Sequence, residues 1–61
     1  MPLTSQQLAQ ESNRATEILR GKVVARVVRA KEGEVMVEFA DGTRLFIDRS
    51  LDGVELSITG N

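Results

Sequence analysis

Val35-Met36-Val37-Glu38-Phe39-Ala40-Asp41-Gly42-Thr43-Arg44-Leu45-Phe46-Ile47 is the stretch whose reading decides the fold. Two runs that mix apolar and charged residues at a period of two flank an Asp-Gly pair, the short-range signature of a β-hairpin. The length of the turn sets which residues face each other. A two-residue turn at Asp41-Gly42 sets Phe39 opposite Arg44 and Glu38 opposite Leu45, which mixes the two faces of the ribbon. A type I turn with a glycine bulge, looping through Ala40-Asp41-Gly42, moves the pairing by one residue. Phe39 then faces Thr43, Val37 faces Leu45 and Val35 faces Ile47, while Glu38 meets Arg44 and Met36 meets Phe46. A slip of one residue turns every side chain to the opposite face, so the second register is the one expected.

Outward from this hairpin the same period of two continues. Residues 22–30 are rich in valine, and strands are expected over 22–30, 34–39, 43–48 and 54–58, with connectors that each end in glycine. A glycine-bulge loop at Lys31-Glu32-Gly33 pairs Val27 with Val37, Ala25 with Phe39, Arg26 with Glu38 and Val28 with Met36. One face, here face one, then carries Ala25, Val27, Val35, Val37, Phe39, Leu45 and Ile47. Face two carries a charged row, Arg26–Glu38–Arg44, beside an apolar row, Val28–Met36–Phe46. Leu56 and Ile58 fall on face two if Leu51-Asp52-Gly53 forms a glycine-bulge loop, and on face one if the loop differs by one residue. Upstream, Thr4 and Gln7 have the spacing of a helix capping box. Leu8, Ser12, Ala15 and Leu19, with Ile18, make a narrow helical stripe, and Gly21 is placed to end the helix. Pro2 stands outside any element. The expected class is α+β: one N-terminal helix over 4–20, then a four-stranded antiparallel β-meander, as a small open sheet or an SH3-like partial barrel. The helix is the internal candidate for a lid on face one.

At 61 residues the chain is one domain, 1–61. A chain of this size hides about 60 % of its unfolded surface on folding, which leaves on the order of 3–5 kcal/mol of stability without a staple. There is no cysteine and no histidine, which removes disulfides, thiolate metal sites and the commonest zinc ligand. Association with another chain is the staple that remains. No apolar run approaches the roughly 18–20 residues that span a bilayer, and Met1–Gln10 lacks the basic and apolar regions of a signal peptide. A cytoplasmic protein without a membrane partner is expected.

The composition argues against catalysis. A nucleophile would have to be a serine or threonine activated by lysine or a carboxylate, and Lys22 and Lys31 stand at strand ends with no motif around any serine. Asp48 and Asp52 lack the repeated-aspartate spacing of a calcium loop. No cofactor and no small-molecule substrate is expected, since a usual ligand pocket of about 300 Å³ or more asks for a longer chain. The net charge of −1 is unevenly spread. Arg14, Arg20, Lys22, Arg26, Arg29 and Lys31 cluster in residues 14–31 against the single acid Glu17, while 32–61 is mostly acidic. That segment is a candidate phosphate-binding surface. Against it, Arg26 pairs with Glu38 in the expected register, and with no Tyr or Trp there is no aromatic platform for bases.

The run from Val37 to Asp48 in its EF-DGT-LF form, followed by Val54 to Gly60, resembles short uncharacterised bacterial proteins with this hairpin. The resemblance implies a bacterial origin and carries no activity to any residue. The order of a helix followed by strands also resembles the Sm-like arrangement, which continues to a fifth strand and carries motifs not found here. The function expected is a non-catalytic protein-interaction or assembly module, a homodimer with Val28, Met36 and Phe46 as its contact row. The alternative is a nucleic-acid-binding accessory protein that uses the basic segment 14–31.

Overall fold

A computed structural model describes residues 3–60, so Pro2 lies outside the described residues. Helix α1 spans Ser5–Leu19. The Gln7 N–H donates to the Thr4 hydroxyl at 3.1 Å, and the Thr4 N–H donates to Gln7 Oε1 at 2.9 Å. This reciprocal capping box satisfies two of the donors that a helix start leaves free. At the other end the Arg20 N–H reaches the Thr16 carbonyl, and Gly21 takes φ 78°, the left-handed conformation that ends the helix.

Four strands follow: β1 Val24–Lys31, β2 Glu34–Phe39, β3 Arg44–Ser50 and β4 Gly53–Thr59. They form one antiparallel sheet in the order β1-β2-β3-β4. The sheet is open, with β1 and β4 as its edges, so the partial-barrel alternative does not hold. The deciding hairpin has the expected register, with Val35, Met36, Val37 and Glu38 opposite Ile47, Phe46, Leu45 and Arg44. Its loop is closed by the Gly42 N–H on the Phe39 carbonyl and the Phe39 N–H on the Thr43 carbonyl. Gly42 has φ 93°, the conformation a glycine bulge needs.

Three expectations that concern β1 are corrected. Strand β1 starts at Val24 because the Lys22 N–H stays with the helix end, donating to the Leu19 carbonyl at 3.1 Å. A bulge between Val24 and Arg26 then places Val24, not Ala25, opposite Phe39, and Ala25 is exposed. A second irregularity between Val28 and Lys31 shortens the next turn to Glu32-Gly33, with Lys31 opposite Glu34. The Arg29 guanidinium holds that turn by donating to the carbonyls of Glu32 and Glu34. The loop before β4, which the sequence left open between two lengths, has two residues: Ser50 pairs with Gly53, which sets Leu56 opposite Ile47 and Ile58 opposite Leu45. Both therefore lie on face one, where their burial adds to the core.

That core is thin. Among the described residues only Phe39 and Thr43 are buried, at 7 % and 5 % exposure. Val35, Val37, Leu45, Ile47, Leu56 and Ile58 are half-buried, and Val27 is 60 % exposed. The helix has no buried residue; Glu11, Ala15 and Leu19 form its half-buried line, while Leu8, Ser12 and Ile18 of the expected stripe are exposed. The molecule is a slab of 33 × 27 × 14 Å with a radius of gyration of 12.3 Å. A compact chain of this length has a radius of about 10.5 Å. With no buried residue, the helix does not seal face one.

Candidate functional site

Alternation along the ladder sorts face two into three cross-strand rows. The first runs Arg26–Glu38–Arg44–Thr59, the second Val28–Met36–Phe46–Ser57, and the third Lys31–Glu34–Asp48–Glu55. In the first row Arg26 Nε donates to Glu38 Oε1 at 2.7 Å and Arg44 Nε donates to Oε2 at 3.0 Å. The two bonds occupy both oxygens of the carboxylate. The Arg26 bond, and then the Arg44 bond, hold the Glu38 carboxyl below the ordinary carboxylate value of 4.5. This row is a charged brace across three strands.

Val28, Met36 and Phe46 form one continuous half-buried apolar stripe between the brace and the acidic row. The acidic row sets Glu34, Asp48 and Glu55 directly across from one another, an arrangement that like charges disfavour. Among the described residues, no group of three or more carboxylates is arranged to hold a metal ion.

The basic segment does not converge. Arg14 is on the helix and Arg20 is its C-cap, paired with Glu17 at 3.3 Å. Lys22 is joined to Asp41, whose other oxygen accepts the Thr43 N–H at 2.9 Å. The Lys22 bond first, and the Thr43 amide second, hold the Asp41 carboxyl well below the usual carboxylate range. Arg26 is committed to Glu38, and Arg29 to the carbonyls of Glu32 and Glu34. Among the described residues, Arg14 and Lys31 are the two of these six cations outside such contacts.

The most exposed apolar groups are elsewhere, and the sequence reading missed them. Leu51 lies in the β3–β4 turn, Val23, Val24 and Val27 at edge β1, Val54 in edge β4, and Leu8 on the helix. The valine-rich run reads as core, and its two bulges leave no mark in the sequence. Leu3, Leu8 and Glu11 share with Val54 and Leu56 an open cleft of about 590 Å³ beside the β3–β4 turn. The cleft exceeds the volume expected of so short a chain, but as a groove between helix and hairpin and not as an enclosed pocket. Among the described residues no helix is long and apolar enough to cross a membrane. No protein-family model, no curated protein and no solved structure matches the chain.

Proposed function

We propose that the chain is a non-catalytic interaction or assembly module that pairs with a second copy of itself in the cytoplasm. One observation carries this reading: the chain exposes 4853 Å². A compact monomer of 6.7 kDa exposes about 3,900 Å². The excess, on the order of 900 Å², matches the roughly 800 Å² that each partner contributes to a stable interface of standard size. Two open sheet edges and the absence of any disulfide point the same way. The Val28–Met36–Phe46 stripe is a further surface that such a module can present.

Light scattering over a range of concentrations tests the reading. A mass near twice the 6.7 kDa of the chain is expected; a mass of one chain at every concentration refutes it. Phe46→Glu assigns the stripe: folded monomer marks a contact residue, and unfolding marks a residue of the core.

A further inference from the structure

We infer that two copies join edge to edge through β4, antiparallel about a two-fold axis at Leu56, into one eight-stranded sheet. The inference rests on self-association and names the joint.

The two edges differ in kind. Edge β1 is interrupted by two irregularities and carries Arg26, Arg29 and Lys31, the devices that blunt an edge against pairing. Edge β4, Gly53-Val54-Glu55-Leu56-Ser57-Ile58-Thr59, pairs with β3 without a bulge along its whole length. It contains no proline, no lysine and no arginine. Nothing in it discourages another strand except Glu55.

Ladder parity shows what that edge offers. The Arg49 N–H donates to the Gly33 carbonyl at 2.8 Å, and the Phe39 N–H to the Thr43 carbonyl at 2.8 Å. Leu45, Ile47 and Arg49 therefore turn their backbone groups toward β2, and Arg44, Phe46, Asp48 and Ser50 turn theirs toward β4. Their partners across that ladder are Thr59, Ser57, Glu55 and Gly53. Val54, Leu56 and Ile58 are left with N–H and C=O groups directed away from the sheet. All three side chains are apolar and lie on face one.

A second β4 laid antiparallel with Leu56 on the axis satisfies those groups. Leu56 meets the partner's Leu56, and Val54 meets the partner's Ile58, each pair exchanging backbone hydrogen bonds. Glu55 falls opposite the partner's Ser57, so no like charges meet. Leu56 is also the midpoint of Gly53–Thr59, so this register uses the full strand. An axis at Glu55 sets two carboxylates against each other, and an axis at Ser57 sets Val54 against Gly60. Val54, Glu55 and Leu56 of the joint also line the open cleft that Leu8 shares, and Val54 is 62 % exposed, so the joint covers apolar surface as well as backbone.

The chain has no cysteine of its own, which makes directed crosslinking clean. Glu55 and Ser57 are exposed, so Glu55→Cys and Ser57→Cys leave the core intact. In the joint these two positions form a pair with Cα atoms about 4.5 Å apart, within disulfide reach. Like positions are about 8 Å apart, beyond it. Under mild oxidation a mixture of the two variants should give the mixed disulfide at least tenfold faster than either variant crosslinks alone. It should exceed by a similar factor the rate for Leu51→Cys, a fully exposed turn position that measures chance collision. A dimeric mass with no such preference overturns the β4 joint and leaves self-association standing. A single-chain mass at every concentration overturns both.

Discussion

Glu38 shows how much one residue can organise in a domain with so small a core. Its two oxygens tie Arg26 of β1 to Arg44 of β3 across the central strand. Because the folded-state pKa lies below the ordinary 4.5, its contribution to stability is complete above that value. The contribution disappears as pH falls through the folded-state value. Asp41 acts in the same sense, through Lys22 and the Thr43 amide. Urea midpoints measured between pH 7 and pH 3 should therefore fall on acidification, and Glu38→Gln should flatten part of that decline while lowering the midpoint at pH 7. Phe39 has a different role, as the one buried large apolar residue among those described. Phe→Ala in a core costs about 3–5 kcal/mol, comparable with the whole stability of a domain this size. Phe39→Ala should thus be unfolded at 25 °C by circular dichroism. The charged brace was legible because opposite charges at adjacent rungs fix a register. The place of Ala25 was not, because a bulge in a valine-rich run leaves the composition unchanged.

At the scale of elements, the helix and the sheet are held by different means. Helix α1 has a complete capping box, yet no acid in its first turn, no base in its last and no buried residue. An isolated helix of this length is marginal in water, so it depends on the half-buried line through Glu11, Ala15 and Leu19. Its amides should exchange with solvent well before those of β2 and β3, through local opening rather than global unfolding. Hydrogen exchange read residue by residue checks this, and equal protection in helix and central strands would contradict it. Thr4→Ala, which removes the cap at a local cost of about 1 kcal/mol, should speed helix exchange and leave β2 nearly unchanged. The capping box and Gly21 made the helix ends readable from sequence, and the deciding hairpin fixed the middle of the sheet. The last strand was not fixed, because loops of two and three residues before Gly53 satisfy the same turn chemistry. Packing decided it: the shorter loop, with Gly53 at φ 133°, brings Leu56 and Ile58 to the face that already holds Leu45 and Ile47.

For the whole molecule, the expectation of a helical lid over a sealed face was too simple. The chain leaves Val27, Val54 and Leu8 in solvent, and its surface is larger than a compact monomer of its mass requires. Such a chain gains stability when a second copy covers that surface, and mass action makes the gain depend on concentration. If folding and pairing are one process, each tenfold rise in concentration adds about 1.4 kcal/mol per dimer to the free energy of unfolding. With the unfolding entropy typical of two chains of this length, that is roughly 5 °C in Tm for each tenfold. Calorimetry or circular dichroism across a hundredfold range should show the shift, because the β4 joint adds backbone hydrogen bonds that a lone chain leaves to water. A Tm constant across that range would mean that α1 and the thin core hold the fold without help, and would count against both the pairing and the β4 joint.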